Sequence, residues 1–203
     1  MDRDLVKDSK RVSWLLRHGA PEQKIPIDPA GWVAVGDVLR TLRMSEARLD
    51  EVVGQNDKKR FEKVGGRIRA CQGHSRAAVS LDALEASWTE HAGDAPVFHG
   101  TSVDAALAIA DEGIKPQARS HVHLAPSERS KVGKRWSCDV LLEIDPTRLR
   151  SRGHKLWQSG NGVVLTRYVP ADCVVGIHPL VARAKSDVPR LRVAFQLPQE
   201  TAG

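Results

Sequence analysis

The 203-residue sequence predicts an α+β protein of two lobes, and three observations carry the prediction. Apolar residues recur at helical spacing through the first part of the chain. They give way to two short β-prone runs around Gly65-Gly66. Beyond residue 95, β-prone segments alternate with short helical ones.

Residues 5–18 predict a helix, with Leu5, Val12, Leu15 and Leu16 on one stripe and Gly19 and Pro21 as stop signals. "GWVAVGDVLRTLR" predicts a short extended piece followed by a helix that turns Val38, Leu39 and Leu42 inward. "SEARLDEVVGQN" predicts another helix, with Ser45 as its N-cap. "RFEKVGGRIRACQ" then reads as a hairpin closed by the two glycines. Arg67 and Arg69 should share one face of its second strand, with Ile68 and Ala70 on the other. Helices followed by a basic hairpin suggest a winged-helix module.

The polar, Ala-rich stretch over 77–95 reads as a connector, which places one lobe at 1–80, a joint at 81–94 and a second lobe at 95–203. In the second lobe "PVFHGTS" predicts a strand running into the helix "VDAALAIADEG", with Thr101 and Asp104 spaced as a capping box. "HVHLA", "DVLLEID", "GNGVVLT" and "CVVGIHPL" read as strands, and "PSERSKVGKRW" as a helix. The tail "LPQETAG" reads as disordered.

Composition narrows the function classes. No apolar run is long enough to span a bilayer, and the charged start lacks the apolar core of a signal peptide. A cytoplasmic protein with no membrane association is expected. Cys71, Cys138 and Cys173 stand far apart, so they read as isolated buried thiols and not as a disulfide framework or zinc site. The net charge is +6. Residues 57–76 alone hold seven basic and two acidic residues, an imbalance that favours a polyanion such as RNA. No Walker sequence, no GxGxxG after a strand and no GxSxG elbow is present.

Candidate functional residues emerge as a basic set. Arg17 and His18 sit in the predicted last turn of the first helix, where cations also serve simply to offset the helix dipole. Arg69 lies just before "CQGHS", where Gln72, His74 and Ser75 add hydrogen-bonding groups, and Arg119 lies two residues ahead of His121. Three arginines and a histidine suit a dianionic phosphate, because guanidinium forks hold its oxygens and a histidine moves protons. His121 and His123 should point the same way from a strand. An HxH pair can start a metal site, but further ligands at fitting spacing are missing. "FHGTS" puts His99, Gly100 and Thr101 ahead of a helix N-terminus, where backbone N–H groups favour an anionic ligand and Gly100 would admit a planar one.

In order, the chain carries "SWLLRHGA", "GWVAVGDVL", "RFEKVGGRIRACQGHS", "VFHGTS", "RSHVHLA" and "GNGVVLTRYVP". This series strongly resembles the RNA 2′-phosphotransferase family, which removes the 2′-phosphate left at a tRNA splice junction. The resemblance spans about residues 5–180. It implies a winged-helix RNA-binding lobe followed by an ADP-ribosyltransferase-like split β lobe that binds NAD+. It further implies that an RNA 2′-phosphate attacks C1″ of the nicotinamide ribose, giving an RNA-2′-phospho-ADP-ribose intermediate. The 2″-OH then attacks phosphorus, releasing 2′-OH RNA and ADP-ribose 1″,2″-cyclic phosphate without a metal. The family's catalytic tetrad falls on Arg17, His18, Arg69 and Arg119. His18 is the expected general acid of the second step, and the tetrad is expected between the lobes, with Arg69 from the first and Arg119 from the second. The NAD+ contacts fall on His99, Gly100, Thr101, Ser102, His123 and Leu124. The RNA or phosphate contacts fall on Arg67, Gln72, His74 and Ser75. Ala125, Phe98 and Cys71 depart from residues frequent in the family, none of them in the tetrad. A monomer is expected. Two alternatives stay open: an ADP-ribosyltransferase that modifies nucleic-acid terminal phosphates, and a winged-helix RNA-binding protein without catalysis.

Overall fold

The computed structural model describes residues 3–134 and 137–199. The chain is mixed α and β with antiparallel sheets. It divides into two compact units. The first holds Met1–Thr89 with the short pieces Ala118–Ser120 and Ser159–Asn161; the remainder forms the second.

In the first unit, helix α1 (Arg3–Trp14) buries Leu5 and Val12. It does not stop at Gly19. The chain continues through a wider π-helical turn, Leu15–Gly19, into α2 (Ala20–Glu22). Gly19 keeps a right-handed conformation, and Pro21 falls within the short α2 that continues the helix. The Trp14 ring lies over Gly19, where a Cβ would come within 2.4 Å of it.

Strand β1 (Val33–Ala34) leads into α3 (Val35–Leu42), and α4 (Glu46–Gly54) begins at Ser45, whose hydroxyl accepts the Arg48 N–H at 3.2 Å. The hairpin forms as β2 (Phe61–Val64) and β3 (Arg67–Ala70) around Gly65 and Gly66, both at positive φ, as its two-residue turn requires. β1 pairs with the other side of β3, Val33 opposite Ile68. Ile68 and Ala70 join Leu15, Leu16, Val38 and Leu49 in this unit's core. The stretch read as a connector is itself structured at its start. Helix α5 (Leu81–Ala86) follows the cap Ser80, and buried Trp88 donates its indole N–H to the Cys71 carbonyl at 3.0 Å.

In the second unit, strand Val140–Ile144 lies between Val97–Thr101 and Val174–Pro179, and Val164–Thr166 lies between Val122–Leu124 and Trp157–Gln158. Val97, Leu124, Leu142, Ile144 and Val164 fill its core. Helix α6 (Val103–Glu112) is capped by Ser102, one residue after the expected Thr101, its hydroxyl accepting the Ala105 N–H at 3.3 Å. Helices Pro146–Ser151 and Val188–Ala194 add to the predicted elements. The first has a legible signal, since Asp145 caps Thr147 and Arg148 ahead of an N-terminal proline.

The helix expected over 126–136 is absent from its described part, which runs as bends and turns. Ser130 turns its hydroxyl onto its own backbone at Val132, and Gly133 takes φ +80°, both of which compete with a helix. Arg135 and Trp136, and residues 200–203 of the tail expected to be disordered, lie outside the described residues. Cys71 and Cys173 are buried as expected, whereas Cys138 is half-buried. No helix among the described residues is long and apolar enough to cross a membrane.

Candidate functional site

The π-helical turn decides the role of Arg17 and His18 in the helix. The helix does not end there, so the pair does not serve as a C-terminal charge cap. Arg17 is half-buried, its buried Nε lacks a hydrogen-bond partner, and its carbonyl accepts the Ser75 N–H at 3.0 Å. Burial, then Arg119, then Arg60 push its guanidinium down to about 10. His18, at the surface, is lowered from its ordinary value by partial burial, by Arg17 and by Arg119. Arg17, His18 and Arg119 therefore feel one another's charge.

Arg119 corrects an expectation. It stands late in the sequence but belongs to the first unit, not the second. Its backbone bridges to Ser75, and the neighbouring Ser120 N–H donates to the His74 carbonyl at 2.9 Å. Ser75 thus holds Arg17 on one side and Arg119 on the other.

Arg69 shares a strand face with Arg67, yet it is only 6% exposed. Its guanidinium lies over the Trp32 ring at 4.6 Å, and the Glu62 carboxylate takes its Nε–H at 2.8 Å and its second amino group at 2.7 Å. Glu62 is the residue opposite Arg69 in the hairpin register, so it fixes the direction of the fork. Arg67 is exposed and bonds Asp28 at 2.7 Å. The same Asp28 carboxylate takes the Ala30 and Trp32 N–H groups and so shapes the loop that carries Gly31 and Trp32.

His74 is fully buried, and neither of its ring nitrogens has a hydrogen-bond partner; the same is true of Gln72 Oε1. Buried polar atoms are rarely left so. Here they sit beside a group of cations. Burial, then Arg17, Arg69 and His18, push His74 down to about 3, so it is neutral at any ordinary pH. The unfolded chain takes up this proton near pH 6.5 and the folded chain only near pH 3, so this contribution to stability is complete above about pH 6.5 and is lost as pH falls. Between pH 7 and pH 5 it should cost about 2 kcal/mol. Urea unfolding at both pH values should show a correspondingly smaller drop for His74→Gln, and equal drops would contradict a buried neutral ring.

The first unit therefore brings together Arg17, His18, Arg69, Arg119, Gln72, His74 and Ser75, while Arg67 is committed to Asp28. Sequence reasoning missed Glu62, Trp32, Gly31 and Arg60. Glu62 was legible, because a two-residue turn at Gly65-Gly66 sets its register against Arg69.

In the second unit, His99 and His123 do meet: His99 Nδ1 lies 3.3 Å from the His123 carbonyl, and both rings are half-buried. His121 does not share their setting. It precedes the strand, is fully buried and meets Trp157 edge-on at 5.7 Å. Gly100 does not face open space, since a Cβ there would lie 2.9 Å from Cys138 Sγ and 3.2 Å from Lys134 Cβ. The N-terminus of α6 is also partly used: the Asp139 carboxylate takes the Val103 N–H at 3.4 Å, and the Ser102 hydroxyl serves as cap. Thr101 is buried, and Leu124 is a core side chain. No group of three or more His, Cys, Asp and Glu among the described residues is arranged to hold a metal.

A family model described as RNA 2′-phosphotransferase, Tpt1/KptA family, matches residues 3–168. Among similar proteins, one from Burkholderia lata named as a probable RNA 2′-phosphotransferase is 36% identical, covering 83% of this chain and 89% of its own. Proteins of the same name from Rhizobium rhizogenes (37% identical; 80% of this chain, 89% of theirs) and Streptomyces griseus (38%; 83% and 95%) are similarly close. With the family model covering residues 3–168 and relatives 36–38% identical over four fifths of the chain, the chain belongs to the RNA 2′-phosphotransferase, Tpt1/KptA family.

Proposed function

We propose that the protein removes an internal RNA 2′-phosphate by transferring it to NAD+, giving 2′-OH RNA, nicotinamide and ADP-ribose 1″,2″-cyclic phosphate. The observation that carries this reading is the setting of Arg17. A half-buried guanidinium, lowered by burial and by two neighbouring arginines and with a buried, unpartnered Nε, is stabilised by a dianion. An RNA 2′-phosphate is such a dianion.

Arg17, Arg69 and Arg119 clamp the phosphate, and Glu62 and Trp32 hold the Arg69 fork in position. Partial burial, Arg17 and Arg119 disfavour the protonated form of His18. A dianion placed among these arginines offsets the charges that lower it, so phosphate binding promotes its protonation. NAD+ supplies the ribose C1″ that accepts the phosphate. In the first step a phosphate oxygen bonds C1″, the C1″–N bond breaks, and its electron pair leaves with nicotinamide. In the second the ribose 2″-OH attacks phosphorus, gives its proton to solvent water, and the P–O bond to RNA breaks. Protonated His18 gives the departing RNA 2′-oxygen its proton.

Support for the NAD+ contacts rests on the approach of His99 Nδ1 to the His123 carbonyl. Gly100, Thr101, Ser102 and Leu124 would contribute backbone atoms, since their side-chain positions are covered or committed. The helices followed by a three-stranded sheet support a winged-helix reading of the first unit, and the two antiparallel sheets support an ADP-ribosyltransferase-like reading of the second. A cytoplasmic monomer acting on tRNA-like substrates fits this role.

The test mixes the protein with a short RNA bearing one internal 2′-phosphate and NAD+, and weighs the products. RNA lighter by one phosphate, together with ADP-ribose cyclic phosphate, is expected. RNA that stays ADP-ribosylated would replace this reading with a terminal-transferase activity, and unchanged RNA and NAD+ would overturn it.

A further inference from the structure

The basic segment 57–76 does not act as one patch, because tertiary partners neutralise part of it. Lys63 pairs with Glu46 and Asp50, and Arg67 with Asp28. The loop Asn56–Arg60, sequence "NDKKR", is different. Among the described residues Lys58 and Lys59 have no carboxylate partner, and Arg60 has only Asp57 at 3.9 Å, itself mostly exposed.

This loop is also held rigidly. The buried Asn56 side-chain oxygen takes the Lys58 N–H at 3.2 Å and the Arg60 guanidinium at 3.0 Å, and its amide donates to Ser9 of α1 at 3.1 Å. The Lys59 N–H closes onto the Asn56 carbonyl at 2.9 Å. The Asn161 amide donates to the Lys58 carbonyl at 2.8 Å. Lys59 is kept in the left-handed region at φ +43°, a conformation a lysine adopts only where its surroundings impose it. The Arg60 carbonyl accepts the Cys71 N–H at 2.9 Å, next to Gln72 and across from the end of β3. A surface loop fixed this firmly, with both lysines lacking a carboxylate, is preorganised for an anion that comes from outside.

We propose that the loop Lys58–Arg60 is a binding site for the RNA sugar-phosphate backbone, in which Arg60 contacts the phosphodiester beside the reacting 2′-phosphate. The proposal rests on the RNA 2′-phosphate reading and extends it from the reacting group to the flanking chain. Arg60 is placed for this: it is close enough to Arg17 for their charges to be felt, while its own side chain is about one-third exposed. Arg60 is thus a binding residue and takes no part in the two bond exchanges.

Two measurements test it. Fluorescence anisotropy follows a labelled single-stranded RNA with one internal 2′-phosphate across a salt series. Arg60→Gln, and separately the doubly substituted Lys58→Gln, Lys59→Gln, should weaken binding about tenfold and reduce the log–log salt slope by about one for each phosphate no longer neutralised. Arg60→Lys, which keeps the charge, should recover part of the affinity. In turnover with NAD+, Arg60→Gln should raise KM about tenfold for the oligonucleotide while kcat falls less than twofold, and should leave KM unchanged for a nucleoside 2′-phosphate that has no phosphodiester. Unchanged affinity and slope in both loop variants would overturn the loop site alone. So would a decrease confined to kcat, which would move Arg60 to the reacting phosphate. Failure of the unsubstituted protein to bind or process the RNA would overturn the RNA reading itself. Lys59 is exposed and Lys58 half-buried, so the lysine pair decides the matter if Arg60→Gln does not fold.

Discussion

Arg69→Ala should lower turnover of 2′-phosphorylated RNA by about 100- to 1,000-fold, the usual effect of removing one preorganised donor from a charge-stabilising site. The effect should be larger than charge alone would give. The arginine is almost fully buried, stacked on Trp32 and directed by Glu62, so its truncation leaves the Glu62 carboxylate without its partner beside the cluster. Arg69→Lys should not restore activity, because an ammonium cannot reproduce a fork held between a ring face and a carboxylate. If the second step depends most on this arginine, RNA carrying ADP-ribose should accumulate and be visible by mass within a single turnover. Turnover within threefold of the unsubstituted protein would remove Arg69 from the site.

Gly31→Ala should destabilise the first unit by about 3 kcal/mol, the sum of a strained left-handed conformation and displacement of a buried ring. Gly31 holds φ +86°, and a Cβ there would lie 2.5 Å from His74 Nε2. His74 is fully buried and its carbonyl carries Ser120, so it has little room to move aside. Gly66→Ala serves as the control, since Gly66 has φ +76° but nothing within 4 Å of its added Cβ. It should cost about 1 kcal/mol from strain alone. Urea unfolding of the two variants isolates the clash with His74. Equal destabilisation would mean that the loop over 28–32 gives way and that His74 is not fixed by it.

Much of the scaffold was legible. Ser45 as a cap, the glycine pair as a turn, and the apolar stripes of α1 and α3 are local signals, and each element formed where its signal stood. The misreadings were local signals overruled. Gly19 and Pro21 are breakers by composition, but the chain packs Trp14 over the glycine and keeps turning. The segment 126–136 has helical composition, but Ser130 and Gly133 close its described part, 126–134, into turns.

The sequence by itself determined the α+β class, the hairpin register that sets Glu62 opposite Arg69, and the residue types available for holding a phosphate. Only the tertiary structure decided which cations remain available, because the neutralising carboxylates come from elements far away along the chain: Asp28 for Arg67, Glu46 and Asp50 for Lys63. It also decided that Arg119 belongs with Arg17, that His74 is neutral, and that Gly100 faces Cys138. The physical reason is common to all of these. Periodicity and capping are set within a few bonds of each residue, whereas ionisation and charge pairing depend on burial and on distances that exist only once remote segments have packed together.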